Sequence, residues 1–435
     1  MMLLVYTHKF SPRLKYIFDL FIGKLMGISF EITHNVEEFK SYAGPKFNYS
    51  EHQIENEIFI YSERLLFEKG IEDQQFGFTE WDGIKAFYAT HPKYSVPFDL
   101  FSASFYLVSR YEEYLPHLRD LHDRYNETES IAYTRGFLQK PVVNIWAQKF
   151  KSIILERYPT LKSVSPKYKY VSTIDIDNAF AYLEKGLMRT IGAYGRSLVN
   201  FDLPQIVERS KVLMRLMHDP YHTYELMHDL HKRYKINVIY FFLLGEYGEN
   251  DKNVSVDNRN FQSLIQSLAD YADAGIHPSY GSNIKDGRLQ KEVQLLTKIL
   301  KREVTKSRQH FLKIRLPDTY RKLISVDIKE DFTMGYAGNI GFRAGICSSF
   351  YFYDLDQEVQ TPLLIHPFAV MDATFRYYLK VNPEQVIDLI KPLIEEVKAV
   401  NGTFISLWHN ESLSENHIWK GYRDIYEELL KIAAV

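Results

Sequence analysis

The sequence predicts an α/β fold for its second half, a parallel sheet that closes into a barrel. After residue 166, apolar strand segments alternate with amphipathic helical segments. Residues 236–244 are apolar on both faces, as is typical of a parallel strand covered by helices. Polar, potentially reactive side chains stand at the ends of several of these strands. In (β/α) barrels, reactive groups gather at the carboxyl ends of the strands.

The first half predicts a smaller α+β domain, to which the sequence assigns no role. Ser11 and Pro12 read as an N-cap followed by proline at the first helical position, and Gly27 ends that helix. Pro159 and the serine-rich residues 163–166 place the boundary between two domains, residues 1–165 and 166–435. Predicted elements of the first domain are strands at 3–6, 28–33 and 58–61, and helices at 13–25, at 98–114 and up to residue 157.

In the second domain each predicted strand after the first follows a helix. The last long helix contains Pro392, which predicts a kink. Predicted strand segments are 170–176, 236–244, 275–280, 307–311, 331–334 and 402–410. Predicted helices are 222–234, 261–272, 290–303, 317–323 and 383–397.

Composition narrows the class of protein. The chain has 435 residues, of which 46% are hydrophobic and 25% charged, and its net charge is −2 without a basic block, so nucleic acid is not an expected partner. The single cysteine, Cys347, excludes an internal disulfide and favours a reducing compartment. No apolar run approaches the roughly 20 residues of a membrane span, and the apolar start is too short for a signal peptide. We expect a cytoplasmic protein.

The key stretch is residues 170–178, an apolar strand that ends in Asp175 and Asp177. Side chains two apart on a strand point the same way, so both carboxylates emerge together. Two carboxylates that lie this close together repel each other unless a cation or a shared proton lies between them. An Asx-rich turn after a strand is the simpler alternative.

Four further residues occupy equivalent strand-end positions: His277, Arg308, His310 and His409. Aspartate and neutral histidine are the ligands expected of a catalytic divalent metal. Each residue also has a structural interpretation. Arg308 could form an ordinary salt bridge, His310 could support a ligand rather than bind metal, and His409 could cap its strand.

Taken in order, these motifs resemble those of the polysaccharide deacetylases, the NodB-homology superfamily. The similarity is greatest to a branch found in Bacteroidetes-type bacteria and extends over residues 98–114, 120–125 and 341–347. The resemblance implies a deformed (β/α) barrel, a divalent metal, usually zinc, and hydrolysis of N-acetyl groups on sugars. The matching motifs are TIDID at 173–177, HPSY at 277–280, RQHF at 308–311 and LWHN at 407–410.

The resemblance implies that Asp177 and His277 bind the metal. The family's second histidine, four positions after the first, is absent, because Gly281 stands there. His310 occupies a position where the family usually has proline. Arg308 and His310 share a parity in an extended segment, and only the histidine can ligate a cation. The sequence therefore predicts His310 as the third ligand.

The resemblance also implies the catalytic residues. Asp175 corresponds to the general base, Arg308 to the arginine that orients it, and His409 to the general acid. An amide needs all three functions, because water is a poor nucleophile and the leaving amine must be protonated. The residues predicted to contact substrate are Ser279, Tyr280 and Arg343.

The predicted function is a metal-dependent hydrolase that removes acetyl, or a related acyl group, from an amino sugar or glycoconjugate. The alternative is a catalytically silent barrel that binds carbohydrate or a protein partner. The base and the acid favour the hydrolase, since a binding module needs neither. A glycosidase that uses Asp175 would need a second carboxylate, which the sequence does not identify.

Overall fold

The computed structural model describes residues 2–285 and 287–434, which form sheets of four, nine and two strands. The strands are β1 (Leu3–Thr7), β2 (Phe30–Thr33), β3 (Lys46–Ser50), β4 (Ile58–Tyr61), β5 (Phe78–Trp81), β6 (Ile84–Phe87), β7 (Lys169–Ile176), β8 (Asn237–Leu243), β9 (Asp273–His277), β10 (Lys306–Ser307), β11 (Glu330–Asp331), β12 (Phe350–Asp354), β13 (Val359–Ile365), β14 (Val370–Met371) and β15 (Thr403–His409).

The helices account for most of the remaining regular structure. They are α1 (Pro12–Phe18), α2 (Val36–Ser41), α3 (Leu100–Val108), α4 (Ile131–Thr134), α5 (Val142–Arg157), α6 (Leu187–Val199), α7 (Leu203–Leu213), α8 (Tyr224–Tyr234), α9 (Arg259–Ala269), α10 (Arg288–Leu300), α11 (Asp318–Ser325), α12 (Pro383–Ala399) and α13 (Tyr422–Ala433). Within the described ranges, no helix combines the length and the apolar character that crossing a membrane requires.

The N-terminal sheet is parallel, with the strand order β2-β1-β3-β4. The predicted start of α1 is confirmed, because the hydroxyl of Ser11 accepts from the Leu14 backbone N–H and Pro12 is the first helical residue. The helix continues through a π-helical stretch, Asp19–Leu25. This sheet shares one hydrophobic core with the nine-stranded sheet. The Arg13 guanidinium, which pairs with Glu358, ties the two parts together.

The nine-stranded sheet has the order β12-β13-β11-β10-β9-β8-β7-β15-β14, with only β12 antiparallel to its neighbour. The order does not return to its first strand, so the predicted closed barrel is not confirmed. An irregular segment lies between β11 and β15 instead. Its backbone N–H groups donate to backbone carbonyl oxygens on either side. That of His366 donates to the carbonyl of Asp331, that of Phe368 to Met334, and that of Ala369 to Ile405.

Two predicted strands are much shorter than expected. The segment at 307–311 keeps only β10, and that at 331–334 keeps only β11. The buried carboxylate of Asp331 accepts hydrogen bonds from the hydroxyls of Ser307 and Thr333 and from the Thr333 backbone N–H. Such side-chain bonds compete with a regular ladder of backbone hydrogen bonds, and here they accompany the early end of both strands.

Strand register places the predicted site residues side by side. Asp175 on β7 pairs with His409 on β15, and His277 on β9 pairs with Leu243 on β8. Neighbouring strands lie about 4.8 Å apart, so side chains at these ends can reach one another. The carboxyl ends of β7, β9 and β15 therefore form one edge.

Candidate active site

A cavity of about 220 Å³ opens at this edge of the sheet. All six residues predicted for catalysis and metal binding are near it, although Arg308 lies beneath the surface. The lining residues are Arg124, Asp175, Asp177, His277, Gln309, His310, Phe311, Leu312, Ala337, Met371, Ala373, Tyr377, Tyr378, Leu407, His409, Glu411 and Trp419.

Three donor side chains converge at the bottom of the cavity. The Oδ1 of Asp177 lies 3.1 Å from Nε2 of His277, and its Oδ2 lies 3.4 Å from Nε2 of His310. One ligand atom from each residue falls within 4.8 Å of the others. Asp177 follows β7 directly, His277 ends β9, and His310 begins the turn after β10. The predicted extended course through His310 is wrong, because the chain turns there and Phe311 has a φ of 59°.

The outer nitrogens of both imidazoles are already occupied. The Nδ1 of His277 lies 2.5 Å from the carbonyl oxygen of Arg308, and Nδ1 of His310 lies 2.9 Å from Oδ1 of Asp251. Only an N–H can bond to these acceptors, so each neutral ring directs the Nε2 lone pair at Asp177.

This arrangement fits a cation. With neutral rings, lone pairs face a carboxylate, and Oδ1 of Asp177 is buried with no hydrogen-bond partner. Without a cation, protons must take its place. Burial lowers the pKa of His310, but Asp177 and Asp251 raise it to about 9. An aspartate and two histidines, each histidine held through its second nitrogen, is the donor set expected of a zinc site.

The predicted contact between Asp175 and Arg308 is present. Nη1 of Arg308 lies 3.0 Å from Oδ1 of Asp175, and both side chains are almost fully buried. The Nε–H of Arg308 donates to the carbonyl of Phe332, while the rings of Phe241 and Phe368 flank the guanidinium. The arginine therefore fixes one carboxylate oxygen of Asp175.

His409 is held by a residue that the sequence analysis missed. Its Nδ1 lies 2.8 Å from Oδ1 of Asp372, and its backbone N–H donates to Oδ2 of the same carboxylate. Nε2 points back to the cluster of Asp177, His277 and His310, 3.7 Å from Oδ2 of Asp177. Burial lowers the pKa of His409, but the charge and hydrogen bond of Asp372 raise it well above its usual value. The contact with Asp372 therefore favours the protonated form of the ring.

The backbone at Gly281 supports the cluster of Asp177, His277 and His310. The backbone N–H groups of Tyr280 and Gly281 both donate to Asp251, the carboxylate that orients His310. An added Cβ at Gly281 would lie 3.6 Å from Oδ2 of Asp251 and only 2.3 Å from Nη1 of Arg288. Where the resemblance predicts a ligand, this chain has backbone that supports a different histidine.

Two of the predicted substrate contacts lie away from the cavity. The Ser279 hydroxyl donates to the buried carboxylate of Glu292 and caps the following turn. Arg343 pairs through Nε and Nη2 with Glu113, and its Nη1 donates to the Gly335 carbonyl. The polar groups of both side chains are already hydrogen-bonded to buried partners. Neither residue is therefore kept as a candidate substrate contact. The ring of Tyr280 lies against Phe311 near the cavity.

Several residues of the site were not found from the sequence. Asp372 follows a two-residue strand, and the rule that identified Asp175 would have found it had that strand been recognised. Asp251 lies in a loop with no local signal. The aromatic residues at the mouth come from two distant segments: Tyr377, Tyr378 and Trp419.

Comparison with known proteins gives limited information. Residues 3–159 match DUF7033, described as a family of unknown function. No curated protein matches the chain. Similar solved structures include a candidate polysaccharide deacetylase from Mycobacterium smegmatis, at 11% identity over 61% of this chain and 84% of that one, with a TM-score of 0.39. Another is a polysaccharide deacetylase from Bacillus cereus, at 12% identity over 59% of this chain and 88% of that one, with a TM-score of 0.28. Function is therefore argued from the geometry.

Proposed function

We propose that the protein is a metal-dependent hydrolase that removes N-acetyl, or related acyl, groups from an amino sugar or glycoconjugate. The observation that carries the proposal is the convergence of three donors, Asp177, His277 and His310, beside the buried carboxylate of Asp175 and the imidazole of His409. A bound divalent ion, with zinc preferred for this donor set, would acidify water and polarise an acyl carbonyl.

Asp175 is proposed as the general base. Its Oδ1 is held by Arg308, and its Oδ2 lies 3.7 Å from Nε2 of His277. Oδ2 is therefore the atom placed to take a proton from water beside the ligand cluster.

His409 is proposed as the general acid. Its Nδ1–H is bound to Asp372, which leaves Nε2–H directed at the cavity. A raised pKa keeps that proton at neutral pH, where an amine leaving group needs it. Base and acid approach the cavity from β7 and β15, so one can act on water while the other acts on the departing nitrogen.

The cavity mouth suits a sugar. Three aromatic side chains, Tyr377, Tyr378 and Trp419, line the cavity beside the charged groups, and the two tyrosines are also exposed at the surface. Aromatic faces pack well against the apolar faces of sugar rings, and tyrosine and tryptophan keep a polar edge for hydroxyl groups. A silent carbohydrate-binding barrel would explain the aromatic residues but not the oriented base and acid.

The test is metal analysis joined to an assay of acyl release. Wild-type protein purified without chelators should contain one divalent ion and release acetate from N-acetylated amino-sugar oligomers. Asp177→Ala and His277→Ala should lose both metal and activity while circular dichroism stays unchanged. His52→Ala, which removes an exposed histidine, is the matched control and should retain both. Metal-free wild-type protein without acetate release would disprove the proposal.

A further inference from the structure

A helical hairpin, residues 187–213, projects from the fold between β7 and α8. It consists of α6, a short turn and α7. The buried carboxylate of Asp219 fastens its base by accepting the backbone N–H groups of Ala181, Tyr182 and Leu183. These hydrogen bonds hold the base of the hairpin in place on the rest of the fold.

The outer face of the hairpin is apolar and exposed. Leu187, Ile191 and Leu198 lie on one face of α6, because residues four and eleven apart share a side of a helix. Phe201, in the turn, is 88% exposed. Exposed apolar side chains in and just after the hairpin are Leu187, Met188, Ile191, Leu198, Val199, Phe201, Leu203, Val207, Leu213, Met214, Leu216 and Met217.

The inner side of the hairpin is polar. The Ser197 hydroxyl donates to Gln205 and accepts from Nη1 of Arg209, while Tyr194 shares a hydrogen bond with Ser210. An amphipathic helix of a globular protein normally buries its apolar stripe and exposes its polar one. This hairpin has the opposite orientation. A group of exposed apolar side chains of this kind is typical of an interaction surface.

The hairpin carries a net positive charge. Residues 187–213 contain four Lys or Arg and two Asp or Glu, a net charge of +2, whereas the whole chain carries −2. Arg196 and Lys211 are exposed, and so is Arg215 just after the hairpin. Both acidic groups are engaged within the fold. Asp202 caps α7, and Glu208 accepts from Tyr182 and Asn416.

We propose that this hairpin docks on an anionic lipid surface. Exposed leucine, methionine and phenylalanine beside exposed lysine and arginine is the pattern of a helix that lies in a membrane interface. The exposed cations of the hairpin are attracted to anionic lipid headgroups. A second copy of this chain would instead present the same positive charge and be repelled. The docking surface is independent of the proposed hydrolase activity.

The hairpin lies on the same side of the sheet as the cavity. Nζ of Lys185 at its base bonds to Asn178, the residue after Asp177. Asn416, which bonds to Glu208 of the hairpin, is three residues from Trp419 at the cavity mouth. Docking through the hairpin would bring the cavity mouth towards the lipid surface.

Vesicle flotation of the full chain tests the proposal. Wild-type protein should float with vesicles of phosphatidylcholine mixed with phosphatidylglycerol, and less with phosphatidylcholine alone. The double change Leu198→Ser and Phe201→Ser should weaken binding by at least about tenfold, because two apolar side chains no longer leave water. Lys211→Gln and Arg215→Gln should each weaken binding to the anionic vesicles about fivefold, and added salt should act in the same direction.

The control is Val164→Ser, which changes a side chain that is 79% exposed but lies outside the hairpin. It should bind vesicles as the wild type does, and thermal unfolding should show that every variant is folded. Two outcomes would overturn the proposal. One is wild-type protein that does not float with anionic vesicles. The other is a dimer in light scattering that the double change dissociates, without vesicle binding, since the hairpin would then pair with a second copy.

Discussion

Replacing Asp251 with alanine tests the architecture of the candidate metal centre at a residue that is not itself a proposed ligand. Asp251 accepts three hydrogen bonds, from Nδ1 of His310 at 2.9 Å, from the Tyr280 N–H at 2.9 Å and from the Gly281 N–H at 3.1 Å. Alanine removes all three. The imidazole of His310 then loses the acceptor that sets its tautomer and its direction.

The expected cost in metal affinity is about 10- to 100-fold, the range found when a carboxylate behind a ligating histidine is removed. That factor corresponds to about 1.4–2.8 kcal/mol of binding free energy. The free energy of unfolding should also fall, by about 1–3 kcal/mol, because the Nδ1–H of His310 is left buried without an acceptor. Tyr280 and Gly281 are partly exposed, so water can replace their lost acceptor.

Affinity is measured by competition with a chromophoric chelator at several pH values. A cation must displace the proton that Asp177 and Asp251 stabilise on His310, whose pKa they raise to about 9. Wild-type affinity should therefore rise with pH towards that value. Asp257→Ala, an exposed aspartate of the same loop, is the control. If Asp251→Ala binds metal as tightly as Asp257→Ala across the pH range, Asp251 does not orient a ligand.

Three further predictions follow from the residues around the cavity. Asp175→Asn should retain metal but lose about 10²- to 10⁴-fold in acyl release, because a carboxamide cannot accept the proton of water; an unchanged rate would exclude it as the base. Asp372→Asn should lower the pKa of His409, since it removes the charge that raises it. The protonated acid is then lost at lower pH, and the alkaline limb of kcat/KM should move to lower pH; an unmoved limb would exclude His409 as the acid. Arg308→Ala should destabilise the fold by about 3–5 kcal/mol in urea unfolding, because it leaves Asp175 buried and unpaired. Asp175→Ala combined with Arg308→Ala should recover part of that loss, and a purely additive double variant would contradict a coupled pair.

The alternation of strands and helices in the second half predicted the parallel sheet well. The alternation did not predict the short strands β10, β11 and β14 correctly. Side-chain hydrogen bonds and turns decide where such short strands begin and end. The predicted closure of the sheet is not confirmed, because the observed strand order is open. Pro392 lies inside α12, as expected, and the kink that it predicts stays a prediction.

The helical hairpin shows the limit of periodicity. Residues 187–213, where the sequence analysis predicted no element, form two amphipathic helices, and such a pattern normally marks the face that packs on the core. Only the tertiary structure shows that the polar face turns inward and that Leu198 and Phe201 face solvent. Periodicity fixes which residues share a face, but the neighbours that the rest of the chain supplies decide which face is buried.

The sequence by itself determined the local part of the candidate site. Strand parity placed Asp175 and Asp177 together, and strand ends brought His277 and His409 to the same edge. Tertiary structure alone decided their partners. Asp251 lies 59 residues from His310, and Asp372 lies 37 residues from His409. Backbone geometry repeats along a strand and can be read locally, whereas a hydrogen bond between distant segments exists only after packing brings them together.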